Sequence, residues 1–172
     1  MKKLLVVVDM QNDFIDGVLG TPEAQALVPA AAEYIRAFDG DVVYTQDTHD
    51  EHYLDTEEGR RIPVPHCLKG SHGWEIRQEV AEAGAGKTVA TIEKDHFASV
   101  DLPGFIRERG YEDIRILGLC TDLCVVSNAF CIRGALPDAR VGVVKHCCAG
   151  VSPESHENAL SVMRMCMIDI LD

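Results

Sequence analysis

Six strand-sized apolar runs alternate with segments of helical spacing, and this alternation limits the chain to a mainly parallel sheet covered by helices on both faces. Leu4–Asp9 is continuously apolar up to its closing carboxylate, the pattern of a central parallel strand. Asp41–Gln46, Thr88–Ile92, Ile114–Leu117, Arg140–Val144 and Met167–Leu171 supply five more strands. Pro22–Phe38 carries Ala26, Leu27, Ala30, Ala31, Tyr34, Ile35 and Phe38 at helical spacing, with Gly40 to stop it. Trp74–Ala83, Asp101–Arg109, Thr121–Arg133 and a segment from Pro153–Glu154 to Met165 read as further helices. A long polar loop, Asp47 to Gly73, interrupts the alternation. No repeat, linker or charge block divides the chain, so residues 1–172 form a single three-layer α/β domain with a six-stranded sheet.

Composition narrows the partners. With 47% hydrophobic residues in 172, the chain can bury a real core and is not a disordered protein. A formal charge of −12 argues against nucleic acid, which requires a basic face. The apolar run Leu4–Val8 is too short for a membrane span or a signal peptide, which points to a cytoplasmic protein with no membrane partner. Seven cysteines, an odd number set mostly in apolar periodic segments, fit reduced thiols better than a disulfide framework.

In parallel α/β sheets, ligands bind beyond the carboxyl ends of the strands. The residues there are Asp9, Asp47, Lys94 and, past the fourth strand, Cys124. The stretch Gly118-Leu119-Cys120-Thr121-Asp122-Leu123-Cys124 leaves that strand at a glycine and enters a helix, with Thr121 suited to the N-cap. Cys124 then lies in the first turn, where the helix dipole favours the thiolate. Any one of these residues alone reads as structural. Together on one rim they suit a cysteine nucleophile: Lys94 adds positive charge, Asp9 accepts and returns a proton, and the backbone N–H groups of Cys120 and Cys124 can face an oxyanion. Asp47 and His49, with His66 in Pro65-His66-Cys67, offer a carboxylate and two imidazoles of the kind that hold zinc, iron or manganese. His52 is a competing ligand. Cys131, Cys147 and Cys148 read as packing, the last two just past the fifth strand.

These motifs resemble those of the isochorismatase-like cysteine hydrolases, and among them the nicotinamidase branch, in order along essentially the whole chain. Val7-Val8-Asp9-Met10-Gln11-Asn12-Asp13-Phe14 resembles the family's opening motif, Lys94-Asp95-His96-Phe97-Ala98-Ser99 its lysine motif, and Gly118–Val126 its nucleophile motif. The resemblance implies that Cys124 attacks a substrate carbonyl, Asp9 shuttles protons and Lys94 keeps the pair charged. It also implies a cis peptide at Leu119–Cys120. In the branch, a matching Asp, His and His bind a divalent metal that holds the pyridine nitrogen of nicotinamide. Here that set is Asp47, His49 and His66, joined by Glu58 or, less well matched, Glu57, with zinc the first choice of metal. Phe14 and Phe97 could sandwich a flat ring, although aromatics near strand ends are more often core.

The implied activity is amide hydrolysis of nicotinamide to nicotinate, a step of pyridine-nucleotide (NAD) salvage, in a protein that self-associates. Two other readings remain. One keeps the chemistry and changes the substrate to another small amide or N-carbamoyl compound, as the compact loop between His49 and His66 allows. The other is a non-catalytic metal- or ligand-binding domain. A nucleotide-binding domain would need a glycine-rich turn after the first strand, and Asp9-Met10-Gln11-Asn12 is not one.

Overall fold

A computed structural model describes residues 1–172. Its strands are β1 (Lys3–Val8), β2 (Asp41–Asp47), β3 (Thr88–Lys94), β4 (Asp113–Leu119), β5 (Arg140–Ala149) and β6 (Asp169–Leu171). All pair in parallel in the order β3-β2-β1-β4-β5-β6. The helices are α1 (Asn12–Ile15), α2 (Pro22–Ala37), α3 (Glu57–Arg61), α4 (Gln78–Ala83), α5 (Leu102–Glu108), α6 (Val126–Ala135) and α7 (Pro153–Met165). Helices α2 and α4 pack together in one layer, and α5, α6 and α7 in the other. No helix is long and apolar enough to cross a membrane.

β1 is central because its side chains are apolar on both faces, and Leu4 to Val8 are fully buried. Strand order reverses on either side of it, toward β2 in one direction and β4 in the other. The crevice between the carboxyl ends of β1 and β4 is therefore a topological switch point, where such sheets bind ligands. Two backbone features shape it. Asp9 turns the chain out of β1 with a φ of 47°, in the left-handed region that aspartate tolerates better than most residues. Gly118, at φ 127°, lies so close to β1 that any Cβ would collide with the Val8 carbonyl oxygen. The Leu119–Cys120 peptide is cis.

Several elements depart from the sequence reading. The helix expected over Trp74–Ala83 begins only at Gln78. The Trp74 carbonyl is taken by the side-chain amides of Gln11 and Gln46, and its indole N–H by Thr48, which hold that stretch as a loop. β5 continues to Ala149 rather than stopping at Val144, because a register shift lets it re-pair with Gly118 and Leu119. Cys147 and Cys148 consequently lie within the strand, not past it. The final strand starts at Asp169, since Met167 has a φ of 62° that no strand admits. The loop after β2 contains a 3₁₀ turn at Tyr53–Asp55 as well as α3, neither foreseen from its composition.

The largest change is at the nucleophile turn. Thr121–Val125 is one wide π-turn, with the Val125 N–H donating to the Cys120 carbonyl and the Val126 N–H to that of Thr121. Cys120, not Thr121, occupies the N-cap position. The Thr121 hydroxyl instead pairs with His156 Nδ1 of α7 at 2.8 Å. Cys131, expected as packing, is exposed.

Candidate active site

Asp9, Lys94 and Cys124 meet at the switch point, all buried. Lys94, the last residue of β3, places Nζ 2.7 Å from Asp9 Oδ2, an ion pair rather than a directed hydrogen bond. The same ammonium donates to Asp47 Oδ1 at 3.0 Å and to the His96 carbonyl at 2.8 Å, and lies 3.8 Å from Cys124 Sγ. The other Asp9 oxygen accepts from the Thr45 hydroxyl at 2.6 Å. Burial works against the Lys94 ammonium, yet Asp9, Cys124 and Asp47 together outweigh it and raise its pKa, so the lysine is charged. Burial raises the Asp9 pKa, with Lys94 pulling it back.

The thiol differs from expectation. Burial, reinforced by the negative charge of Asp9, raises Cys124 well above the ordinary cysteine range, with Lys94 as the opposing influence. The direction is opposite to the one that a helix start suggested. Full desolvation of a charged sulfur costs more than one turn of dipole returns. A buried thiol beside a carboxylate of raised pKa can nevertheless transfer its proton as a bond to carbon forms.

Two residues that the sequence reading did not assign hold this arrangement. Asn128, one turn beyond Cys124, donates to the Cys124 carbonyl at 2.8 Å and to the Phe97 carbonyl at 3.1 Å, and accepts from the Ser99 N–H at 3.0 Å. It thereby ties the nucleophile turn to the loop after β3. From the other side, Asp122 accepts from the Val151 N–H, next to the His156–Thr121 contact. The Cys120 N–H donates to no backbone carbonyl.

Asp47, His49 and His66 converge as a second cluster, with their ligating atoms within 4.8 Å of one another and all three residues buried. Asp47 Oδ2 is 3.0 Å from His49 Nε2 and 3.4 Å from His66 Nε2. Glu58 Oε1, from α3, is 3.9 and 3.7 Å from the same two nitrogens. Donors about 2.0–2.1 Å from a zinc ion stand about 3.0–3.4 Å from each other, so the set needs little adjustment to close on a metal. His66 Nδ1 pairs with the Val64 carbonyl at 2.8 Å, which leaves Nε2 as the free lone pair. The competing candidates fall away: His52 and Glu57 are exposed, Glu57 pairing with Arg60 and Arg61. Cys67 is buried with its thiol pushed up by burial, and its N–H donates to Asp13 at 2.7 Å.

Tyr53, also unassigned from sequence, is wedged between the two imidazoles, 4.7 Å from His49 and 5.0 Å from His66 between ring centroids. Phe14 packs edge-on against His66 at 5.4 Å, and Phe97 is half-buried against the core. A cleft of about 240 Å³, lined by Thr48, His49, Tyr53, Glu58, Asp95 and His96 among others, leads to the cluster. The charges favour a cation. Three carboxylates, Asp9, Asp47 and Glu58, gather around Lys94 and the two imidazoles, and buried charge is costly unless it is compensated. Burial and the neighbouring Asp47 raise the Glu58 pKa, with His49, His66 and Lys94 opposing.

Comparison with known proteins identifies the family. The sequence profile of the isochorismatase domain matches residues 3–172. The nicotinamidase/pyrazinamidase of Mycobacterium tuberculosis is 30% identical over 185 residues, covering 98% of this chain and 98% of its own. Among solved structures, the pyrazinamidase of Pyrococcus horikoshii in complex with zinc superposes with a TM-score of 0.80 at 26% identity, covering 100% of this chain and 99% of its own. N-carbamoylsarcosine amidase from Thermoplasma acidophilum does so with a TM-score of 0.77 at 32% identity, covering 99% and 96%. With its ordered strand-end residues, fold and full-length profile match in agreement, the chain belongs to the isochorismatase family of hydrolases.

Proposed function

We propose that this protein is a metal-dependent amidase that hydrolyses nicotinamide to nicotinate and ammonia through a thioester on Cys124. The observation that carries the proposal is the Lys94 ammonium. It contacts Asp9 and Asp47 at once and so joins a nucleophile cluster to a metal-ligand cluster. Asp9 takes the thiol proton as Sγ bonds to the amide carbon, and the N–H groups of Cys120 and Cys124 face the oxygen that becomes negative. Asp9 then protonates the amine, the C–N bond breaks and ammonia leaves. In the second half, Asp9 deprotonates a water that attacks the thioester, and the Cys124 sulfur departs and recovers a proton as the carboxylate is released. Lys94 stays charged throughout and compensates the carboxylate.

Asp47, His49, Glu58 and His66 would hold the metal, zinc in the first instance, which when bound supplies a Lewis-acidic partner for a ring nitrogen. Phe14, edge-on to His66, and Phe97, half-buried against the core, are the aromatics we propose for a flat substrate. The names of the Mycobacterium and Pyrococcus relatives support this reading, while the likeness to N-carbamoylsarcosine amidase favours an N-carbamoyl substrate as the second.

Ammonia release from nicotinamide, pyrazinamide and N-carbamoyl amino acids decides between them. The expected result is turnover of the pyridine and pyrazine amides, lost with a chelator and restored by zinc. Turnover confined to N-carbamoyl compounds and indifferent to chelation would sink the nicotinamidase reading and leave the cysteine chemistry intact.

A further inference from the structure

We propose that Gln11 is a positioning residue for the metal ligand Asp47, its side-chain amide standing in for a missing residue of β1. This rests on the reading of Asp47 as a metal ligand. Regular pairing of β1 with β2 ends at Val8 opposite Thr45, because Asp9 turns the chain away. On the far side, β3 still pairs with this end of β2, and the Thr48 N–H donates to the Lys94 carbonyl at 2.7 Å. The N–H and C=O of Asp47 point the other way, toward the gap that β1 has left. Gln11 fills it. Its Oε1 accepts from the Asp47 N–H at 2.7 Å and its Nε2 donates to the Asp47 carbonyl at 2.8 Å.

A primary amide offers the same donor and acceptor as a peptide unit, so the sheet ladder continues one residue further through a side chain. The second Nε2 proton goes to the Trp74 carbonyl at 2.8 Å, which anchors the amide plane. Gln11 has no exposed surface, so water cannot replace these bonds. The choice of residue is specific. Glutamate keeps the acceptor and loses both donors, methionine keeps the shape and loses everything polar, and asparagine is one methylene too short to reach from the same backbone.

The clamp matters because Asp47 uses both carboxylate oxygens, Oδ2 toward His49 and His66 and Oδ1 toward Lys94. A small rotation of its backbone would misplace the metal donor and the lysine partner together. Groups that orient a metal ligand from outside the coordination sphere typically contribute about 10–100-fold in metal affinity. Gln11→Met should therefore weaken zinc by about that factor, with Gln11→Glu in between.

The test is zinc titration of the purified full-length chain against a chromophoric chelator, with metal-free thermal unfolding run beside it. Zinc affinity of a folded Gln11→Met within about twofold of wild type would overturn the proposal, since an outer-shell ligand partner should cost about tenfold or more. Restoration of amide turnover in Gln11→Met by saturating zinc is the expected signature of positioning, and a defect that zinc leaves untouched would mark a merely structural residue. Should the methionine variant not fold, the isosteric glutamate variant carries the same comparison. Hydrogen exchange at the Asp47 amide of metal-free wild type gives a variant-independent reading: protection is expected, and rapid exchange would overturn the clamp. Failure of wild type itself to bind zinc would instead refute the metal site, a separate outcome.

Discussion

The Asp9–Lys94–Cys124 cluster and the Asp47–His49–Glu58–His66 cluster are neighbours built in different ways. The first is sealed from solvent and assembled from strand ends and one turn, with an ion pair at its centre. The second borders a cleft and takes three of its four candidate ligands, His49, Glu58 and His66, from the segment between β2 and β3. Its imidazoles are set both by the Asp47 carboxylate and by ring packing, against Tyr53 for both and against Phe14 for His66. An ion pair fixes the first cluster, whereas carboxylate contacts and ring packing together fix the second. The contact between Asp47 and Lys94 is the seam between the two.

Substitutions can test how separable they are. Cys124→Ala should lower turnover most, by at least about 10⁴-fold in ammonia release, since a nucleophile acts as a unit with its base. Its zinc stoichiometry should match wild type, and loss of metal would show that the clusters are not separable. Lys94→Met should damage both. It leaves Asp9 and Asp47 buried without their counter-charge, a loss of about 3–5 kcal/mol read from urea unfolding. A cost below about 1 kcal/mol, the range of exposed pairs, would mean that the seam contributes little. Glu58→Gln should touch only the open cluster, weakening zinc by about tenfold or more while alkylation of Cys124 proceeds as in wild type.

The smallest expected effect enters behind the sealed cluster, at His156. Burial lowers its pKa below the ordinary 6.5, so the unfolded chain binds the proton more readily than the folded one. Its contribution to stability is present above that value and declines as pH falls below it. Urea midpoints between about pH 7.5 and 5.5 should drop more for wild type than for His156→Gln, and parallel profiles would remove His156 as a source of acid sensitivity.

What could be read from sequence follows the same division. Asp9, Asp47 and Lys94 were legible because each follows a strand-sized segment, and the sheet topology then forces strand ends onto one rim. Glu58 was placed by resemblance alone, and Tyr53 not at all, because the loop that carries them has no periodicity to read. Thr121 illustrates a different limit. Its type suits an N-cap, but His156, thirty-five residues away, offered a better partner. Asn128 lay inside an expected helix with nothing local to reveal that its amide bridges two motifs. The upward push on the Cys124 thiol comes first from burial, which a one-dimensional pattern cannot report.

Lys94 reaches the site on β3, the outermost strand, whose only neighbour in the sheet is β2. Much of β3 is exposed, and β2 carries Asp47 at the position paired with Lys94. An outer strand opens locally at a lower free energy than the core. Transient fraying of this edge would withdraw the lysine and release its grip on Asp47 in one event. Warming should accordingly extinguish the site before the sheet around β1 and β4 gives way.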